Sequence, residues 1–406
     1  MTKKKIVTPV PTAAPRPAGL PAWLWILIPT AALAALVGVF AFGDPLAIFK
    51  ADTPPVEALS IERIVVTPEG FRVTVINGGA APSTIAQVMV DDAFWQYTIV
   101  PSETLPRLGR AVITLQYPWV QNDPNVITLI TASGLTFTGD VPVATLTPVP
   151  GATEFAAYGL LGVYVGILPV ALGMLWFPAM KKLGRRGLGA VLALTLGLLI
   201  FLLVDTLLEA LEVGGELPGV FQGKPLALFA ALLTWLGLAA ISSSRGAQNA
   251  DPAKQRLYVA TLIALGIGLH NLGEGLAIGA AFALGEAALG SFLVVGFTLH
   301  NVTEGVGIAA PVIRDQPSWK QFGGLALLAG APAIAGAWIG GFAFSPLLAT
   351  LFLGIGTGAI WQVIVEVGQL LRRDAEREGV PFISWLNVGA LLAGIGLMYF
   401  TAFLVK

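Results

Sequence analysis

Nine apolar stretches, each about 20 residues long, constrain the fold of this chain more than any other feature. This length is what an α-helix needs to cross the hydrocarbon core of a bilayer. Only 12% of the 406 residues are charged, whereas soluble proteins carry about 25%, so a soluble globular protein is excluded. The predicted spans are 22–42, 155–178, 188–211, 225–241, 257–283, 288–312, 322–344, 347–371 and 382–405.

The first span stands apart from the other eight. Its apolar core is longer than the 7–15 residues of a signal-peptide core, and Lys3, Lys4 and Lys5 precede it. We therefore predict a cytoplasmic Pro-rich tail (1–20) and an uncleaved anchor helix (21–43), with cleavage as the alternative. With one crossing per span, most of the 23 Lys and Arg residues fall on the side of residue 1, which the positive-inside rule makes cytoplasmic. The C-terminus is then extracytoplasmic, in the cell membrane.

Residues 50–150 have a different pattern from the spans on either side. Short alternating runs at 71–76, 86–90 and 126–130 are typical of β-strands. Turn signals at Asn77-Gly78-Gly79 and Ser133-Gly134 separate them at the spacing of a small antiparallel sandwich. We predict an extracytoplasmic, Ig-like β-sandwich that stabilises the protein or contacts an unidentified extracytoplasmic partner.

The eight later spans carry acids and histidines in mid-helix but neither Lys nor Arg. A carboxylate at the bilayer centre costs about 2.5–3.5 kcal/mol on insertion scales, so five acids without basic partners need protons or bound cations. Both His residues of the chain belong to the same set, and neutral imidazole beside carboxylate is a common metal-ligand combination. The set is Asp205, Glu209, His270, Glu274, His300, Glu304 and Glu366.

Two of these acids belong to a repeated motif. Leu269-His-Asn-Leu-Gly-Glu-Gly275 recurs as Leu299-His-Asn-Val-Thr-Glu-Gly305. On a helix the Glu lies about 40° from the His and the Asn at about 100°, so all three form one wedge. A tight turn at Gly285-Glu286 makes the two helices antiparallel neighbours, which lets both wedges face one divalent ion such as Zn²⁺, Fe²⁺, Mn²⁺ or Co²⁺. The alternatives are interhelical hydrogen bonding and a proton relay.

The paired HNxxEG motifs, on the fourth and fifth of eight spans, resemble those of the ZIP family of divalent-metal transporters. The resemblance covers about residues 154–406 and implies an all-α, eight-helix metal-transport domain, to which this chain adds the anchor helix and the sandwich. It also implies that His270, Glu274, His300 and Glu304 bind the transported ion, with Asn271 and Asn301 beside it. Glu366 on the seventh core helix matches a family position that faces the pathway.

The chain departs from the family pattern at three points. Gly273 and Thr303 stand where members often have Pro, so a kink that frees backbone carbonyls is not assured. Residues 322–344 contain no acid for a second adjacent ion, and we expect one ion. The loop at 242–256 contains no His to sense metal.

Asp205 and Glu209 have two open interpretations: an outer waiting site for the ion, or hydrated side chains at the membrane interface.

These observations predict a transporter, not an enzyme, that moves divalent metal into the cytoplasm, with Zn²⁺ favoured over Fe²⁺, Mn²⁺ or Co²⁺. No Gly-Lys-Ser/Thr phosphate loop occurs in the sequence, so ATP hydrolysis is not expected. The net charge of −1 gives no footprint for nucleic acid, and no organic cofactor is expected. The sequence does not decide whether the protein forms a homodimer. The alternatives are a non-transporting metal sensor and an intramembrane metalloenzyme. The sequence has no His-Glu-x-x-His arrangement, which would give such an enzyme its metal ligands and its base on one helix.

Overall fold

The computed structural model describes residues 22–43, 56–244, 251–313, 315 and 317–403. The predicted cytoplasmic tail (1–20) lies outside the described residues. Helix α1 (Ala22–Gly43) is apolar along its whole length, contains Pro29 and belongs to a separate unit, Met1–Pro55. Its bounds agree with the predicted anchor, and its role as an anchor stays a prediction.

The second unit begins with the β-sandwich. One sheet has the order β1-β2-β7-β5 and the other β4-β3-β8-β9, with β6 beside β3. Alternate side chains of each strand enter the core between the sheets, and Phe71, Val73, Ile85, Ile113 and Leu129 are fully buried there. The strands are β1 (Leu59–Thr67), β2 (Gly70–Asn77), β3 (Ser83–Val90), β4 (Ala93–Trp95), β5 (Tyr97–Val100), β6 (Thr104–Leu105), β7 (Arg110–Gln116), β8 (Asn125–Thr131) and β9 (Thr136–Val141).

Within the described residues, eight long apolar helical segments follow, and each is long enough to cross a membrane. Two of them are interrupted. The first consists of α2 (Ala152–Gly162), a π-turn (Val163–Ile167), α3 (Leu168–Met174) and the short α4 (Phe177–Met180). The sixth is broken at Ala331 into α9 (Trp319–Gly330) and α10 (Pro332–Ala343), because Pro332 has no N–H to continue the helix.

The remaining six segments are continuous helices. They are α5 (Arg185–Glu216), α6 (Gly223–Ser244), α7 (Pro252–Ala283), α8 (Ala287–Ala309), α11 (Pro346–Glu378) and α12 (Trp385–Phe403). The predicted turn between the two motif helices is present, with Gly285 at φ +79°. The predicted fold class, a helical polytopic bundle with a small all-β domain before it, is confirmed.

The helices form two groups that pack mainly within themselves. The first group contains α2, α3 and α7–α10, and the second contains α5, α6, α11 and α12. They meet chiefly where α11 packs on α7. The sandwich rests on the end of the bundle that holds the α7–α8 turn, where Arg63 Nη1 donates to the carbonyl of Phe342 over 2.6 Å. We call this the sandwich end of the bundle, and the other the far end.

Candidate metal site

Helix α7 places the first motif in the most enclosed part of the bundle. It begins at an Asp251 cap, whose carboxylate accepts a hydrogen bond from the N–H of Ala253. Gly275 and Gly279 lie against the backbone of α10, so close that an added Cβ would fall within 3.0 Å of the Ala333 and Ala337 carbonyl oxygens. Small residues thus let α7 and α10 approach closely, as in many membrane helix pairs.

The two motifs meet in the interior of the bundle, as the sequence predicts. His270, Glu274, His300 and Glu304 are only 3–6% exposed. The His270 Nε2 lies 3.2 Å from Glu274 Oε1, and His300 Nε2 approaches the same oxygen. One potential ligand atom from each of His270, His300 and Glu304 lies within 4.8 Å of the other two, so these atoms fit around a single cation.

The inward-facing atoms of the site make no hydrogen bond of regular geometry, although both His Nε2 atoms lie next to Glu274 Oε1. Burying such groups without partners is costly, and buried charged groups normally pair or coordinate metals. A cation among them would satisfy several at once. The atoms concerned are His270 Nε2, His300 Nε2, Glu274 Oε1, both carboxylate oxygens of Glu304, and the Oδ1 atoms of Asn271 and Asn301.

The two Asn side chains are held by their amide nitrogens. Asn301 Nδ2 donates to the carbonyl of Val165 (3.0 Å) and to Glu274 Oε2 (2.9 Å). Asn271 Nδ2 donates to the carbonyl of Ala329 (3.1 Å). These three bonds leave both Oδ1 atoms without partners, and the bond to Glu274 fixes the orientation of that carboxylate.

The carbonyls that hold the Asn side chains come from the two interrupted helices. Val165 lies in the π-turn of the first span, where helical hydrogen bonding is irregular. Ala329 lies in the last turn of α9, just before the break at Ala331, where carbonyls lose their helical partners. The motif helices themselves run on without a break through Gly273 and Thr303. The motif helices therefore have no kink at these positions, and the carbonyls that hold the Asn side chains belong to neighbouring helices.

Thr206 contacts the site although the sequence analysis did not select it. This residue of α5 is fully buried, and its Oγ1 lies 2.8 Å from His270 Nδ1. Its signal in the sequence is weak, because a Thr within an apolar span commonly bonds its own helix. The contact shows which ring nitrogen of His270 faces away from the carboxylates.

Glu366 is not brought together with the His and Glu cluster. Gly356 of α11 faces the backbone of Leu269 and His270, and Glu366 follows it about 15 Å further along the helix, toward the far end. Its carboxylate accepts hydrogen bonds from Ser242 Oγ and Gln362 Nε2.

Asp205 and Glu209 lie one turn apart on α5 and have different surroundings. Asp205 lines a peripheral groove between α5 and α12, beside Phe201 and Tyr399. Glu209, one turn closer to the sandwich end, interacts electrostatically with His270. Glu209 also interacts electrostatically with Asp205, and the outer waiting site formed by both acids stays a prediction.

The side-chain set has the chemistry of a divalent transition-metal site. Imidazole nitrogens and carboxylate oxygens suit Zn²⁺, Fe²⁺, Mn²⁺ and Co²⁺, whereas the Ca²⁺ ion prefers oxygen ligands alone. Residues 238–402, which include both motifs, match the family model described as ZIP zinc transporter. The chain carries a ZIP domain. No curated protein matches the chain.

The ZIP domain and the eight apolar helices identify a multi-pass membrane protein, and the domain supports a function in divalent-metal transport. ZIP proteins are transporters rather than enzymes, which fits the predicted non-enzymatic function. The matched region begins within α6 and ends near the end of α12. Helix α1, the sandwich, the first two spans of the bundle (α2–α4 and α5) and most of α6 lie outside the matched residues.

Proposed function

We propose that this protein carries a divalent transition-metal ion across the cell membrane into the cytoplasm. Zn²⁺ is the metal that we expect it to carry first among these ions. His270, Glu274, His300 and Glu304 bind the ion, while Asn271 and Asn301 stand beside it. Residue 1 and the far end of the bundle are cytoplasmic, and the sandwich and the C-terminus are extracytoplasmic.

The observation that carries this proposal is the set of unpartnered atoms between α7 and α8. Two imidazole nitrogens and three carboxylate oxygens share one buried space, and none of them makes a hydrogen bond of regular geometry, although both His Nε2 atoms lie next to Glu274 Oε1. Interhelical hydrogen bonding, the main alternative for one His/Glu pair, predicts that such atoms bond each other or the neighbouring helix. Here those bonds are made by the Asn nitrogens and by Glu274 Oε2, and the remaining atoms converge.

Transport requires the site to open alternately to each side. The division into two helix groups gives a physical route, because the ligands all lie on the first group and the second group packs beside it. A displacement of one group against the other would carry the ligands without separating them. ATP hydrolysis is not expected to drive this displacement, since the sequence offers no phosphate loop.

The test is metal flux into proteoliposomes that contain a metal-sensitive dye. Wild-type protein is compared with His270→Ala plus Glu304→Ala and with a matched variant, Asn387→Ala, whose side chain bonds Phe382 at the far end. We expect Zn²⁺ flux in the wild type and Asn387→Ala, and loss of flux in the double variant. Binding without flux would indicate a sensor, and equal flux in all three proteins would contradict the site.

A further inference from the structure

Thr206 differs from the other buried threonines of the bundle in what its hydroxyl contacts. The hydroxyls of Thr195, Thr350 and Thr357 each donate to a carbonyl of their own helix four residues earlier, and that of Thr401 donates to the carbonyl three residues earlier. The Thr206 hydroxyl is instead paired with His270 Nδ1 on a neighbouring helix, at 2.8 Å. Thr206 therefore has a specific partner that ordinary packing of a Thr in a membrane helix does not require.

The contact fixes how the His270 ring is presented. With Nδ1 held by Thr206, Nε2 points toward Glu274, 3.2 Å away, and toward His300, whose ring centroid is 6.0 Å from that of His270. A neutral imidazole that binds metal through Nε2 carries its proton on Nδ1, where it needs an acceptor. The Thr206 hydroxyl oxygen is that acceptor.

We propose that Thr206 is a positioning residue of the metal site, which orients His270 by accepting a hydrogen bond from Nδ1–H and leaves Nε2 free to bind the ion. This inference rests on the proposed function for the identity of the ligands. Thr206 lies on α5, which belongs to the second helix group, whereas all the proposed ligands lie on helices of the first group. Thr206 itself does not touch the ion.

The test compares Thr206→Val, which keeps the shape and removes the hydroxyl, with Thr206→Ser, which keeps the hydroxyl. Thr350→Val is the matched control, because Thr350 is equally buried and bonds only within its helix in the contacts described above. The probes are Zn²⁺ binding by calorimetry and the absorption spectrum of bound Co²⁺, on full-length protein in detergent. The midpoint of thermal unfolding without metal reports the structural effect of each substitution.

We expect Thr206→Val to bind Zn²⁺ about 10–100-fold more weakly, the usual effect of losing a partner that orients a ligand, and to alter the Co²⁺ spectrum. Thr206→Ser should restore both, and Thr350→Val should leave both unchanged at a similar unfolding midpoint. In proteoliposomes Thr206→Val should raise the KM for Zn²⁺ while flux at saturating metal is kept. If Thr206→Val does not give monodisperse protein, Thr206→Ala removes the hydroxyl without adding strain.

Unchanged affinity and spectrum in Thr206→Val or Thr206→Ala would overturn the proposal, as would a wild type that binds no metal. Equal losses in Thr206→Val and Thr350→Val would also overturn it, because they would show a general packing effect. Failure of the proposed function has a different signature. It would appear as binding without flux in the wild type, with the hydroxyl dependence of binding intact.

Discussion

Asn301 donates a hydrogen bond from Nδ2 to Glu274 Oε2 over 2.9 Å, so the Asn of the second motif orients the Glu of the first. The other Glu274 oxygen faces both His residues. The two motifs are therefore not independent half-sites, because a side chain on α8 sets the direction in which a ligand on α7 points.

The first prediction concerns this bond. Asn301→Ala should lower Zn²⁺ affinity about 10–100-fold, because Glu274 loses the partner that orients it. Isothermal calorimetry on protein in detergent measures the change. Asn387→Ala, at the far end, is the control and should bind like the wild type. An Asn301→Ala protein of wild-type affinity would mean that Glu274 does not need this bond to bind the ion.

The second prediction concerns stabilisation by the ion. A ligand that binds only the folded state stabilises it by about 2.7 kcal/mol at 100 times its Kd. Zn²⁺ should therefore raise the midpoint of thermal unfolding of the wild type, and Ca²⁺ should have a smaller effect because the site mixes imidazole with carboxylate. The variant His270→Ala plus Glu304→Ala should show no Zn²⁺-dependent rise. A rise of equal size in that variant would place the stabilising ion elsewhere.

The third prediction concerns the approach of α7 to α10. Gly275→Ala would place a Cβ within 3.0 Å of the Ala333 carbonyl oxygen, so the helices must separate. Overpacking of this kind costs about 1–3 kcal/mol. Gly396→Ala on α12 is the control, since an added Cβ there meets nothing within 4 Å. Thermal unfolding in detergent measures both, and equal midpoints would show that the contact is easily relaxed.

The fourth prediction concerns the sandwich and pH. Partial burial alone would raise the pKa of Asp91, but hydrogen bonds from the Val126 N–H, Asn125 and Tyr117 hold it below its ordinary value. The unfolded chain takes up this proton near pH 3.9. The network therefore stabilises the sandwich above that pH, and its contribution is lost as the pH falls through the lower pKa of the folded state.

Asp91→Asn tests this point while keeping the left-handed backbone at φ 50°, which Asn tolerates. Hydrogen exchange of β3 and β8 in the full chain should be faster in the variant than in the wild type at pH 7. The difference should shrink in acid, below the pKa of folded Asp91. Asp92→Asn, at the next position of the same turn, is the control. A difference that persists unchanged in acid would exclude the carboxylate as its cause.

The sequence predicts the parts of this protein that depend on local patterns. Apolar length predicts the spans, although α5, α7 and α11 extend five to seven residues beyond the predicted bounds at one end, and alternation places strands β2, β3 and β8. The repeated motif predicts which residues gather in the bundle, because helical periodicity and a tight turn bring both wedges together. Each of these inferences needs only neighbouring residues and one turn.

The parts that the sequence does not predict depend on packing between distant helices. The π-turn that contains Val165 has no recognisable local signal, and Pro332 marks the break after Ala329 without showing which side chain uses its carbonyl. The partnership of Thr206 with His270 arises only when α5 lies beside α7. For Glu366 the sequence predicts the helix that carries it, but not the distance along that helix between Glu366 and the His and Glu cluster.

A cavity of about 10 Å³ adjoins Glu304 on its far side, lined by Leu198, Leu199, Leu202, Ile267 and Met398 among others. That space holds about one water molecule, whereas a divalent ion in solution carries a full shell of them. An ion that continues past Glu304 in this conformation would have to shed its remaining water against hydrocarbon side chains. If the protein carries an ion as proposed, this largely aliphatic lining would act as a dehydration barrier, and the ion would stay at the site until the helices rearrange.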